Sequence, residues 1–355
     1  MSGRPFPAAD ISIAALLADA SWFPEGLDLR DGMVSFVRSD RATLAAQPFL
    51  DDRWERVAAP RRRVAARDLA AGMRAEPAEL SFIWHTAFCA STAVAGALDH
   101  AGSNLSLREP EILVGLSELK RQKLLAPQFA QAVFRLLARR HRPSENILLK
   151  PSNSANCLLP EAIRLTDGRM LVLYSDCRSF LISVAKRSEK GRAFVRRLFN
   201  QIAADNYDLS NWPIAKLFEH SDLEIAALVW HMQIAQFLRS WSLIQPGRIA
   251  SLDCDAFFAS PERTLAALDG LFGLGLGAAH GARLIEDGLL ARDSKQRPGR
   301  DFDLAQRQEE NDAIARQIGP VLDEIVAWSY RTSPATPRGT PLGNPLVPLD
   351  KAYCP

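Results

Sequence analysis

A chain of 355 residues with 47% hydrophobic and 24% charged side chains can bury a large core, as one big domain or one domain with a substantial extension, and this composition argues against wholesale disorder. A net charge of +2 argues against nucleic-acid binding through a broad basic face and leaves only local basic clusters. There is no run of ~20 apolar residues to span a bilayer, and the N-terminus lacks the basic-then-apolar order of a signal peptide.

The five cysteines, Cys89, Cys157, Cys177, Cys254 and Cys354, are scattered, with no C-x-x-C pair and no metal-like spacing to histidine. That usage fits a reduced, soluble, cytoplasmic protein with no metal site.

Residues 1–78 read as a separate N-terminal extension with a small core of its own. Ile11 to Ala20 has a short helical pattern, Trp22 to Gly26 reads as a turn, and Met33 to Arg38 alternates like a strand. Arg61 to Arg74 is basic and reads as a helix whose charges form a solvated face or meet an anionic ligand.

From residue 79 to about 332, short apolar runs alternate with longer helical stretches, the pattern of an α/β fold in which a parallel sheet is covered by helices on both faces. The strand candidates are Phe82 to Trp84, Ile147 to Leu149, Met170 to Tyr174 and Ile249 to Leu252. The first runs into Thr86-Ala-Phe-Cys-Ala90, a loop of mostly small residues, and a helix opening on Ser91-Thr92. Exposed N–H groups at a helix start, with hydroxyls beside them, form an anion cradle. The loop has no Lys, no Arg and no Gly before Gly96, so it is not a Walker A motif.

Further along, Pro127 to Arg140 reads as an amphipathic helix. Ser221-Asp-Leu-Glu224 is a capping box opening a helix to about Trp241, and Ser260-Pro261 opens another that ends near Gly270. The basic loop Arg292 to Arg300 precedes a long helix from Leu304 to Tyr330. The tail, residues 333–355, is rich in Pro, Gly and Thr and reads as an irregular strap or a partly disordered end.

Taken in order, these segments resemble the sulfotransferase branch of the P-loop fold over roughly residues 80–330. The loop Ala87 to Thr92 stands where that family carries P-[KR]-[ST]-G-[ST]-[ST]; Ser91 and Thr92 match the hydroxyl positions and Phe88 replaces the basic residue. Leu107-Arg-Glu-Pro-Glu-Ile112 is similar to the family's acidic segment, and Leu149-Lys-Pro-Ser-Asn-Ser-Ala-Asn-Cys-Leu-Leu-Pro160 to its K-[ST]-P-x-H-x-x-x-L-P segment. Ser175-Asp-Cys-Arg-Ser-Phe-Leu-Ile-Ser183 aligns with R-[DN]-P-[RK]-[DE]-x-x-x-S; Ser183 matches and Ser175 stands where the leading arginine belongs. Residues 249–268 look like the strand and D-P-x-x-T-L helix that follow.

The resemblance implies a three-layer P-loop-type fold and 3′-phosphoadenosine-5′-phosphosulfate as donor. It implies donor contacts from Thr86, Phe88, Cys89, Ala90, Ser91 and Thr92 toward the 5′-phosphosulfate, and from Ser175, Arg178 and Ser183 toward the 3′-phosphate. Lys295, Arg297 and Arg300 occupy the place of the family's basic loop over that phosphate. Without cations the donor's charge would meet only dipoles and hydroxyls, each contributing about 1 kcal/mol. Lys150, Arg178 and the basic loop are the available sources.

Glu109 is the first candidate to take the acceptor's proton and Glu111 the second; both also read as exposed loop charges. His85, at the strand-to-loop junction, is a candidate donor to the sulfuryl oxygen and also reads as a satisfied structural histidine. Cys89 reads as a small loop filler. Three functions follow from these residues. The first is sulfuryl transfer to a hydroxyl or amine of a small molecule or peptide. The second is a degenerate P-loop-fold binding or scaffold protein, favoured by the two lost basic residues. The third, a nucleotide-hydrolysing enzyme, is weakest for want of a Walker lysine. No nucleic-acid or membrane partner is expected, and an oligomer is compatible with the sequence.

Overall fold

Two sheets organise the described residues. The computed structural model describes residues 11–54, 59–72, 76–205, 214–245, 247–288, 304–333, 336, 338 and 342–348. The N-terminal part contains α1 (Ile13–Ala18), β1 (Trp22–Asp28), β2 (Met33–Arg38), α2 (Arg41–Ala46), β3 (Arg61–Ala65) and α3 (Ala66–Gly72). The strands form an antiparallel sheet in the order β1-β2-β3. Strand β2 alternates as expected, with Val34 and Phe36 fully buried.

Two expectations for this part are corrected. Trp22 to Gly26 is strand, not turn: the register shifts between Pro24 and Gly26, so the turn-forming residues lie at a bulge on an edge strand, where proline is tolerated. Arg61 to Ala65 is strand, not helix. It pairs with β2, Val64 faces the core, Arg61 reaches Glu25 at 3.4 Å, and Arg63 reaches Asp31 at 2.6 Å; the helix begins only at Ala66.

The second sheet has five parallel strands, β4 (Ser81–His85), β5 (Asn104–Arg108), β6 (Asn146–Lys150), β7 (Met170–Tyr174) and β8 (Ile249–Asp253), in the order β5-β6-β4-β7-β8. Helices flank it, giving the expected α/β architecture. They are α4 (Ser91–Ala97), α5 (Glu111–Arg121), α6 (Pro127–Leu137), α7 (Leu159–Leu165), α8 (Cys177–Lys186), α9 (Ser188–Ile202), α10 (Ile214–Leu217), α11 (Asp222–Trp241), α12 (Cys254–Ala259), α13 (Pro261–Phe272), α14 (Ala278–Glu286) and α15 (Leu304–Thr332). Strand β5 was not expected from the sequence. Its Asn104 and Ser106 are fully buried, and Asn104 Nδ2 donates to Leu98 O at 2.8 Å and to Ser106 Oγ at 3.1 Å, while Asn104 Oδ1 has no partner among the described residues.

The chain divides into two compact units. The first comprises the chain up to Ile83, Thr92–Met170 and Asp269–Gly277; the second comprises Trp84–Ser91, Leu171–Leu268 and the chain from Ala278 onward. In the first, α5 and α6 pack on β1, so the N-terminal sheet shares its unit with β5 and β6.

In the second unit, α8, α9, α11 and α15 pack together. Helix α11 starts at the expected capping box: Ser221 Oγ accepts from Glu224 N at 3.3 Å and Glu224 Oε2 accepts from Ser221 N at 2.8 Å. Helix α15 kinks at Ile318, two residues before Pro320, which lacks the N–H a continuous helix needs there. Of the tail, residues 342–348 run irregularly along β8: Ser251 N donates to Asn344 O at 3.0 Å and Leu346 N to Ser251 O at 2.7 Å, covering an edge strand. Among the described residues no helix is long and apolar enough to cross a membrane.

Candidate functional site

In the second unit, β4 and β7 end side by side, and Thr86 N donates to Leu173 O at 3.1 Å. Thr86 follows β4 and Ser175 follows β7, and both are buried. Among the described residues, Thr86 Oγ1 and Ser175 Oγ have no hydrogen-bond partner. A buried hydroxyl left this way costs about 1–3 kcal/mol, so an oxygen-rich ligand would relieve both. The Ser175 carbonyl is fixed by Trp230 Nε1 at 2.8 Å.

The loop between β4 and α4 is held from beneath. Cys89 Sγ donates to Thr86 O at 2.9 Å and is fully buried, which makes it a structural thiol. Phe88 and Ala90 both adopt left-handed backbone, at φ 64° and 60°. Side chains there cost roughly 1 kcal/mol each or more, and such strain concentrates at ligand-binding loops. Phe88 packs its ring against Phe180 at 5.7 Å and Phe194 at 5.1 Å, with the Arg187 guanidinium 4.3 Å from the ring centroid. Ser91, also buried, opens α4, and buried Thr92 follows it.

His85 Nδ1 lies 2.8 Å from Thr86 O. A carbonyl only accepts, so Nδ1 carries the proton and the neutral ring's Nε2 is an acceptor; donation to a sulfuryl oxygen from Nε2 requires the imidazolium form. Ser183 is buried on α8, and its carbonyl accepts from Arg187 Nη1 at 2.7 Å. Arg178 is turned to α15, where its Nε donates to Asp323 Oδ1 at 2.8 Å. Asp176 caps α8, accepting from Ser179 N at 2.8 Å, so a carboxylate holds that helix start. Lys295, Arg297 and Arg300 lie outside the described residues.

The first unit carries a charged cluster of its own. Lys150, at the end of β6, is 1% exposed and donates to Glu109 Oε1 at 2.5 Å; Glu109 Oε2 accepts from Arg53 Nη2 at 3.0 Å. Glu109 follows β5 with φ 54°, and its N donates to Lys150 O at 2.6 Å. The N-terminal segment closes this cluster: Leu50 N donates to Arg108 O at 2.8 Å, Glu111 N to Leu50 O at 3.1 Å, and Arg53 stacks 3.4 Å from the Phe49 centroid. Glu111 opens α5, where its charge complements the helix dipole.

The sequence-derived residues are therefore gathered in two sets. Thr86, Phe88, Cys89, Ala90 and Ser91 are grouped with Ser175 in the second unit, and Glu109 is joined to Lys150 in the first. Arg53 and Arg187 were missed. Arg187 lies one helical turn after Ser183, a spacing that could have flagged it; nothing in the sequence around Arg53 marks it.

Two other ligand-like features are internally explained. Leu276 N and Gly277 N, in the glycine-rich turn after α13, donate to the Asp269 carboxylate at 3.1 and 2.9 Å, so that anion site holds the chain's own carboxylate. Among the described residues, Asp253, Cys254 and Asp255 have potential metal-ligand atoms within 4.8 Å of one another. Asp253 Oδ1 caps α12 by accepting from Asp255 N at 2.9 Å, and burial pushes the Cys254 thiol well up, away from the thiolate a metal needs.

No family model matches this chain, and no curated protein does. Solved structures similar to it include two sulfotransferases. One, a sulfotransferase domain from the curacin biosynthetic pathway, is 15% identical with a TM-score of 0.39, over 69% of this chain and 99% of that one. The other, sulfotransferase STF9 from Mycobacterium avium, is 13% identical with a TM-score of 0.36, over 72% of this chain and 79% of that one.

Proposed function

We propose that the chain binds 3′-phosphoadenosine-5′-phosphosulfate at the loop Thr86–Ser91 and transfers the sulfuryl group to a hydroxyl or amine of a small molecule or peptide. The observation that carries this reading is the pair of buried hydroxyls, Thr86 Oγ1 and Ser175 Oγ, without partners at the ends of neighbouring strands. Sulfuryl and phosphoryl oxygens accept from such groups. Group transfer of this kind asks the protein mainly for positioning and charge stabilisation. The acceptor oxygen or nitrogen forms a bond to sulfur as the bond from sulfur to the 5′-phosphate oxygen breaks. The bisphosphate leaves, and the acceptor's proton passes to a base. Glu109 is assigned that role, with Lys150 and Arg53 orienting its carboxylate.

Thermal unfolding with 3′-phosphoadenosine-5′-phosphate tests the donor reading, because a ligand at 100 times its dissociation constant stabilises by ~2.7 kcal/mol. No shift at millimolar ligand overturns it. Glu109→Gln is expected to keep the shift and lose turnover, and retained turnover removes Glu109 from the base role. A second reading, donor binding without transfer, is favoured by Glu109 having both carboxylate oxygens engaged by cations. A ligand shift with no sulfuryl transfer to either hydroxyl or amine acceptors would establish it.

A further inference from the structure

We infer that Arg187 is an oxyanion-binding residue of the donor loop, carried to it on the ring of Phe88. The inference rests on the donor reading above and concerns this chain's own replacement of a charge. At position 88 an aromatic side chain stands on the left-handed turn of the loop, and two further rings, Phe180 and Phe194, fix it. The guanidinium of Arg187 lies 4.3 Å from the centroid of that ring. A guanidinium stacked on an aromatic face keeps its N–H groups in its own plane, directed past the ring edge, and its fork matches two oxygens of a phosphoryl or sulfuryl group.

The position of Arg187 is built into the fold. It ends α8 and precedes α9, and Nη1 donates to Ser183 O at 2.7 Å, tying the side chain back to the last turn of α8. Gly191 makes this junction possible: a Cβ there would come within 2.3 Å of Val184 O and 3.0 Å of Arg187 Cβ. Arg187 is exposed and Phe88 half-buried, so the pair is open to a solute. Thr86 Oγ1 and Ser175 Oγ, both in the same unit, supply buried hydroxyls that lack partners. Lys186, the neighbouring cation, is committed to Glu310 at 3.1 Å. Phe88 is thus a platform, and the charge absent from position 88 enters from one turn beyond Ser183.

Calorimetric titration of 3′-phosphoadenosine-5′-phosphate into the full chain tests this with Arg187→Gln, Arg187→Lys and the double variant Phe88→Lys with Arg187→Gln. Arg187→Gln is expected to weaken binding at least tenfold with only a small fall in melting temperature, because the side chain is exposed and gives up one bond to Ser183 O. Arg187→Lys should recover part of the loss, and Phe88→Lys in the Gln background should restore affinity to within a few-fold. Wild-type binding with Arg187→Gln within twofold of it overturns the role of Arg187 and leaves the donor reading standing. Absence of wild-type binding overturns both. Arg187→Gln that weakens binding only by lowering the melting temperature, with no recovery in the double variant, assigns the residue to structure and also overturns the inference.

Discussion

Lys150 Nζ lies 2.5 Å from Glu109 Oε1 while the lysine is 1% exposed, so an ammonium has been taken out of water against a single carboxylate in the first unit. A buried ion pair adds little net stability, because desolvation offsets the attraction, but removing one partner strands the other. Lys150→Met is therefore expected to destabilise by about 3 kcal/mol, and Glu109→Gln by a similar amount. The double variant should lose less than the sum of the singles. Denaturant unfolding of the three variants measures this, and strict additivity would show that the two groups are not coupled.

His231 gives the second unit a pH dependence. Its Nε2 lies 2.9 Å from Ser329 Oγ, whose own proton goes to Val326 O, so the neutral ring carries its proton on Nε2. Nδ1 is buried with no partner among the described residues, and burial lowers the folded-state pKa from 6.5 to about 4. The unfolded chain therefore binds the extra proton first. Stability is fully present above pH ~6.5, falls as the pH drops toward 4, and the unfolded state is favoured by up to ~3 kcal/mol across that window. His231→Gln should flatten the acid limb of a plot of unfolding free energy against pH relative to wild type. An unchanged slope between pH 6.5 and 4 would place the proton uptake elsewhere.

Much of the framework is legible from local rules. Short apolar runs mark β4, β6, β7 and β8 because a parallel sheet buries both faces, and the Ser221–Glu224 capping box fixes the start of α11 because it is closed within four residues. Strand β5 is not legible: it buries Asn104 and Ser106, and the bonds from Asn104 Nδ2 to Leu98 O and Ser106 Oγ form only in the folded chain. Trp22 to Gly26 misleads because its turn-forming Pro24 and Gly26 serve a bulge. The same division holds at the site. Ser91 follows from the helix start after β4, and Thr86 and Ser175 from the family resemblance, whereas Arg53 reaches Glu109 from 56 residues away.

The capping box also makes a quantitative test, since Ser221 Oγ and Glu224 Oε2 each satisfy a backbone N–H at the start of α11. Ser221→Ala removes one of these bonds and should cost about 1 kcal/mol. Ser221→Gly should cost only a few tenths, because glycine is accepted at that position. Equal losses for both would point to a packing role for the serine in place of capping.

Two glycines predict opposite signs. Gly270 lies in α13, is exposed, and has nothing within 4 Å of where a Cβ would stand. Glycine loses more backbone freedom on folding than alanine does, so Gly270→Ala should stabilise by up to ~1 kcal/mol. Gly168, between α7 and β7, approaches the backbone ahead of β4 so closely that a Cβ would stand 2.0 Å from Leu80 O. There the same substitution forces two backbones apart and should destabilise by about 1–3 kcal/mol. Denaturant midpoints for the two variants decide it, and a loss at Gly270 or a gain at Gly168 would contradict the packing described for the first unit.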